Sequence, residues 1–211
     1  MAYDAVEQEQ VDSLKRFWEK NGKSLIVGIV VGLAVFFGYH SWTANKNSTA
    51  EAASAEYMGM IDSLSANRLE AASEYGSRII GSYADTAYAP LSALVMARIK
   101  LEQGDSVTAR AHLNWVITHS DMPEVQNIAR IRLAALLLDD GLTDQALATL
   151  EKVKASYVAS RRDEVLGDIY VSLNQVEKAQ KAYKDALAAL ADEGSQRSGF
   201  LQMKLDDIAG L

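Results

Sequence analysis

The side chains that invite a chemical reading are three histidines, His40, His112 and His119, and three adjacent acidic pairs, Asp139-Asp140, Asp192-Glu193 and Asp206-Asp207. His112 and His119 share a helix face. The two turns between them amount to about 10 Å, however, too far for one metal ion. His40 falls at the edge of an apolar segment, where a polar group reaches lipid headgroups rather than relaying protons. Adjacent acids on a helix point about 100° apart and do not converge on a substrate as hydrolytic carboxylates must. Each acidic pair falls near an expected helix end or on an exposed face, where solvation is its ordinary state. Cysteine is absent, which removes thiolate nucleophiles, disulfides and sulfur-ligated metals. No phosphate-cradling glycine loop, GxSxG elbow or HExxH helix is present. The expectation is a protein that is not an enzyme and carries no cofactor.

The elements that position these residues are helical by composition. The chain is 49% apolar but only 8% aromatic, holds two prolines, and is dominated by Ala, Leu, Glu, Lys, Ser and Asp. A net charge of -7, with acids in excess beyond Lys46 as well, repels phosphates and argues against nucleic acid.

From Ser24 to Asn45 no residue is charged, and Leu25 to Tyr39 reads LIVGIVVGLAVFFGY. As a helix this stretch covers roughly 33 Å, enough for the ~30 Å hydrocarbon layer. A buried core helix, which would need amphipathic relief within this stretch, and a cleavable signal, with Ala50-Glu51-Ala52 as its small-residue site, are the competing readings. That site lies far from Tyr39, and Tyr39 with Trp42 suits the aromatic belt of a retained anchor. Lys15, Arg16, Lys20 and Lys23 precede the span and Lys46 alone follows it closely, so the N-terminus is expected in the cytoplasm. Three parts result: a cytoplasmic segment 1–23, a transmembrane helix 24–45 and an extracytoplasmic domain 46–211. Val11, Leu14 and Trp18 form an apolar stripe before the span, suited to resting on the inner leaflet or to extending the helix. Gly28 and Gly32 form a GxxxG and are the candidate contact for another transmembrane helix.

Beyond Ala50 the sequence repeats with a period near 35. The clearest unit has Leu166-Gly167, Tyr170, Ala179, Tyr183 and Ala186, the tetratricopeptide spacing in which small residues let two helices touch and large ones fill the groove. Leu133-Ala134, Leu137, Ala146, Leu150 and Val153 repeat it, with Gly141 at the turn. Met96-Ala97, Ala109, Leu113 and Val116 repeat it again, with Gly104 at the turn and Asp105 as the cap. A weaker unit holds Met58-Gly59, Ala71 and Tyr75. Helix pairs are thus expected near 50–80, 85–119, 124–155 and 160–192. The repeat tryptophan is missing and Ala191 stands where a proline often closes a unit, so the units are degenerate, and irregular packing is expected between the first two. Gln196 to Ile208 reads as a capping helix, with Phe200, Leu201, Leu205 and Ile208 inward and Arg197, Gln202, Asp206 and Asp207 outward.

The fold class is therefore all-α: one N-terminal transmembrane helix, then a tetratricopeptide-like solenoid with a C-terminal capping helix. In such solenoids the first helix of each pair lines the concave surface. Most of the Leu, Ala and Val there serve packing. The interspersed Tyr88, Arg98, Arg130, Arg132 and Asp168 are the candidates for contacting a partner in a partly apolar groove.

The stretch KRFWEKNGK, with Lys15, Arg16, Phe17, Trp18, Asn21, Gly22 and Lys23, closely resembles the entry to the membrane anchor of the YfgM family, the ancillary subunits of the bacterial SecYEG translocon. The whole of Gln10 to Trp42 and the ending FLQMKLDDIAGL resemble that family too. The resemblance implies a Gram-negative inner-membrane protein with its domain in the periplasm, associated with SecYEG and the membrane-anchored chaperone PpiD. It further implies help in passing newly translocated, still unfolded clients to periplasmic chaperones, and a link to envelope stress signalling. It offers no catalytic residues. The alternative function is a self-associating scaffold of the cell envelope.

Overall fold

Long runs of helix formers, with prolines only at 90 and 123, leave little to interrupt helices except their own turn residues. The computed structural model describes residues 2–190 and 196–209, with side chains from Val11 onward. It shows nine α-helices and no strand among the described residues: α1 Ala2–Ser65, α2 Leu69–Ser82, α3 Tyr88–Glu102, α4 Ser106–His119, α5 Pro123–Asp139, α6 Thr143–Leu150, α7 Ala159–Ser172, α8 Val176–Ala188 and α9 Gln196–Ala209. The acidic pair Asp192-Glu193 and Ala191 lie outside the described residues.

The chain divides into two compact units, 1–51 and 52–211. In the first, the side chains from Leu25 to Trp42 have no cover from the chain: Ile29, Val35, Phe37 and Tyr39 are each more than 60% exposed. One described helix is long and apolar enough to cross a membrane, and its most apolar window is wholly unburied. A core helix would be mostly buried, so this exposure is consistent with a membrane span. A Cβ added at Gly28 or Gly32 would meet nothing within 4 Å.

In the second unit, four helix pairs turn in the same way. Asn67, Gly104, Gly141 and Asn174 each take a left-handed φ between 55° and 79°. At each turn the next residue donates its amide to a carbonyl five residues back, as Asp105 does to Lys100 and Gln175 to Tyr170, both at 2.8 Å. These are Schellman closures, open to Gly and Asn because αL crowds other side chains. Asp105 then caps α4 by accepting from the Thr108 amide at 3.0 Å, and that bonding lowers its pKa.

Packing follows the small-against-large register. Gly59 faces Tyr75 and Gly167 faces Tyr183 so closely that a Cβ on either glycine would collide with the ring. The same sixteen-residue offset relates Ala97 to Leu113 and Ala134 to Leu150, all buried. Glycine thus goes with Tyr and alanine with Leu, which conserves volume across each helix contact.

Some expectations are corrected. In the first pair Ala72, not Ala71, is the fully buried alanine. An irregularity that was not expected lies after the third pair: α6 stops at Leu150, and a 3-10 turn, Ser156–Val158, precedes α7. Val153 is still buried, so the groove position survives the loss of helix. In the capping helix Leu201 and Ile208 are buried as expected, but Phe200 is 47% exposed and Arg197 turns inward. Asp140 is not merely solvated: it accepts from the Ser106 hydroxyl at 2.8 Å and pairs with Arg110 at 3.3 Å, tying α5 to α4.

Candidate partner-binding groove

The repeat register determines which side chains reach the surface of the first helices. Arg98, Ala135 and Asp168 each directly follow the small residue of their unit; Leu94, Ile131 and Glu164 each precede it by three. Because i and i+4 share a helix face, these two positions form one stripe along α3, α5 and α7. Two clefts open on it. The first, about 330 Å³, lies between α3 and α5 and is lined by Leu94, Arg98, Leu101, Arg132, Ala135 and Asp139 among others. The second, about 510 Å³, lies between α5 and α7 and includes Ile128, Ile131, Arg132, Ala135, Val158 and Arg161. Arg132 and Ala135 belong to both, so the clefts adjoin along α5.

The structure brings together three of the five residues singled out for the groove. Arg98 is exposed and pairs with Glu102 at 2.8 Å on its own helix. Arg132 stands at the junction; partial desolvation lowers its pKa most, with repulsion from Arg98 and Arg161 adding to it. Asp168 lines the second cleft, but its carboxylate is held from behind by Lys204 at 2.7 Å and by the Tyr183 hydroxyl at 2.6 Å. Its charge is therefore spent on seating α9. Tyr88 lies elsewhere, its ring packed against Tyr57 at 5.6 Å between α3 and the end of α1. Arg130 lines neither cleft and donates to Gln126 and Asn127 of α5.

Sequence reading missed Arg161, Glu164 and Lys204. Glu164 is 7% exposed and takes bonds from Arg197 at 2.9 Å, Lys204 at 3.4 Å and Arg161 at 3.5 Å. The spacing Arg161, Glu164, Asp168 puts three charges on one face of α7, a signal present in the sequence. Burial and then the bond to Asp168 push the Tyr183 phenol well above its ordinary pKa. The groove floor is therefore apolar, its α7 wall carries internally satisfied acids, and its centre carries arginines.

Nothing in this arrangement resembles a reaction centre. The described residues contain no group of three His, Asp or Glu able to hold a metal. His112 is half-buried, with burial first and Lys100 second lowering its pKa, while the His119 ring stacks on Trp115 at 4.6 Å.

Comparison with known proteins agrees with this architecture. The family described as tetratricopeptide repeat-like domain matches residues 15–210. A protein of Haemophilus influenzae named ancillary SecYEG translocon subunit is 30% identical over 99% of this chain and 100% of its own length. Proteins of the same name from Neisseria gonorrhoeae and Escherichia coli are 28% and 23% identical, over 99% and 96% of this chain and 100% and 97% of theirs. Among solved structures, residues 41 to the end of MamA from Desulfovibrio magneticus superpose with a TM-score of 0.56 at 23% identity, covering 75% of this chain and 88% of that one, a likeness of fold.

Proposed function

The chain belongs to the family of ancillary SecYEG translocon subunits, and from that membership we propose that it is a membrane-tethered adaptor seated beside the translocon. The observation that carries the reading is the end-to-end similarity to proteins of that name, which takes in the anchor as well as the repeats. On this reading the apolar helix crosses the inner membrane once, with the N-terminus in the cytoplasm and 46–211 in the periplasm. Gly28 and Gly32 present a smooth strip to a neighbouring transmembrane helix. The cleft-lined face of α3, α5 and α7 faces the emerging chain or an anchored chaperone of the PpiD type, so that a client leaving the translocon meets its next handler at high local concentration. Unfolded clients are transient occupants, and a link to envelope stress follows from any failure to pass them on.

Photo-crosslinking in native membranes tests the adaptor. Reactive residues at 28, 32, 98 and 135 are expected to capture a translocon subunit from the anchor and an anchored chaperone or client from the groove. Capture of neither by any position refutes the adaptor.

A further inference from the structure

The adjoining clefts contain a charge arrangement that the fold itself does not use. Arg132 sits where they meet, with Arg98 on α3 and Arg161 on α7 both near enough to act on it repulsively. Among the described residues Arg132 makes no hydrogen bond or ion pair of its own. Its flanking arginines have partners, Glu102 at 2.8 Å and Glu164 at 3.5 Å, and Glu164 is shared with Arg197 and Lys204. An unpaired, partly desolvated guanidinium beside two like charges raises the energy of the empty groove. A carboxylate placed there relieves it, through the planar bidentate geometry arginine favours. To either side apolar side chains line the clefts, Leu94 and Leu101 in the first and Ile128, Val158 and Val165 in the second, beside Asp139 in the first and the internally bonded Glu164 and Asp168 in the second.

We propose that this groove binds an extended partner segment in which one Asp or Glu, read by Arg132, stands between two apolar side chains that enter the two clefts. The inference rests on the adaptor reading and deepens it by naming the chemistry of the segment received. The spacing follows from the helices. Packed helix axes lie about 8–10 Å apart; an extended segment in the polyproline-II conformation rises about 3.1 Å per residue with three residues per turn, so side chains three positions apart share a face and stand about 9 Å from each other. An extended segment fits better than a helix because the clefts are separate side-chain pockets rather than one trough. The acidic balance of the whole chain, -7, and the carboxylates that share these clefts confine the attraction to the one unpaired guanidinium, so that Arg132 discriminates among ligands instead of drawing acids in general.

The test uses the full-length protein in mild detergent and an end-blocked, fluorescently labelled peptide in which two leucines three positions apart flank one glutamate, with glutamine and lysine versions beside it. Anisotropy is expected to show the glutamate peptide binding about ten-fold or more tightly than the glutamine one, and the lysine one weakest. Arg132→Gln should bring the three within about two-fold of each other, and Leu101→Ser should weaken all three alike. Arg130→Gln, outside the clefts, should change nothing, and its normal helicity controls for folding. Equal binding of the glutamate and glutamine peptides, binding of neither, or discrimination that survives Arg132→Gln overturns the inference. So does displacement of the glutamate peptide by self-association of the chain, which would make the occupant a second copy. Crosslinking from position 135, which lines both clefts and leaves Arg132 in place, reads separately on the adaptor: partners captured there while the peptides fail sink the carboxylate inference alone.

Discussion

Gly167→Ala should destabilise the protein on its own and stabilise it when Tyr183 has become leucine. A Cβ on Gly167 would stand 2.5 Å from Cδ1 and 2.9 Å from Cζ of the Tyr183 ring, where ordinary contact begins at 3.4 Å, so about an ångström must open between α7 and α8. Overpacking of this kind costs about 1–3 kcal/mol. Replacing a mid-helix glycine by alanine returns about 1 kcal/mol of helix propensity, which leaves a net loss of about 1 kcal/mol in the native background. Tyr183→Leu removes the ring and its bond to Asp168, at about 2 kcal/mol. In the double variant the pair becomes alanine against leucine, the combination already present at Ala97 with Leu113 and Ala134 with Leu150. The collision is then gone, the propensity gain remains, and Gly167→Ala stabilises by about 1 kcal/mol. Urea unfolding followed by circular dichroism at 222 nm on the four proteins of the cycle measures the coupling, and each kcal/mol corresponds to roughly 2–4 °C in Tm. An equal effect of Gly167→Ala in both backgrounds would refute the small-against-large register.

Three further outcomes follow from the same geometry. Tyr183→Phe should cost about 1–2 kcal/mol at pH 7, because the lost hydroxyl donates to a carboxylate. The folded phenol's pKa lies above the unfolded value near 10, by burial first and the Asp168 bond second, so its contribution is complete below pH 10 and declines as pH rises beyond it; the gap between wild type and Tyr183→Phe in urea midpoints should narrow from pH 9 to 11, and a constant gap would show that the fold does not hold the phenol protonated. Lys204→Met keeps the aliphatic stem but strips Asp168 and Glu164 of a cation, so amides in 196–209 should exchange with deuterium roughly ten-fold or more faster while α3 to α6 are unaffected; unchanged exchange in α9 would show the clamp to be idle. For orientation, a reporter active only outside the cytoplasm should work when fused after Leu211 and fail when fused after Gln10, and the reverse pattern would invert the topology.

The fold was legible wherever one residue type has a steric reason to occupy a position. Gly104 and Gly141 mark turns because φ near +75° admits little else, and Asn67 and Asn174 are the other residue that tolerates it. Small residues sixteen positions before large ones mark helix contacts, because volume must be conserved across them. The third joint was not legible. The end of α6 at Leu150 leaves no glycine or proline in 151–155, and a buried Val153 reads alike in a helix and in the turn that replaces it. Ala71 and Ala72 were indistinguishable for a similar reason: adjacent alanines differ by 100° around the helix, and only the position of the neighbouring helix decides between them.

The groove was legible as a surface but not as a set of partners. Sequence spacing places Arg98, Arg132 and Asp168 on first helices, yet only the three-dimensional arrangement shows that Asp168 bonds back to Lys204 of α9, thirty-six residues on, while Arg132 bonds to no carboxylate. Charges that pair across the sequence cannot be told from free ones by counting, because a helix face fixes direction and the partner supplies the rest. The distinction carries functional weight. Acids neutralised from behind make the α7 wall rigid and hold the cap over the last apolar face, whereas an arginine with nothing to bond keeps its attraction for whatever enters the clefts. A solenoid built of interchangeable units thus acquires one position unlike the others, and it lies on α5, the helix shared by both clefts, where a single occupant touches three repeats at once.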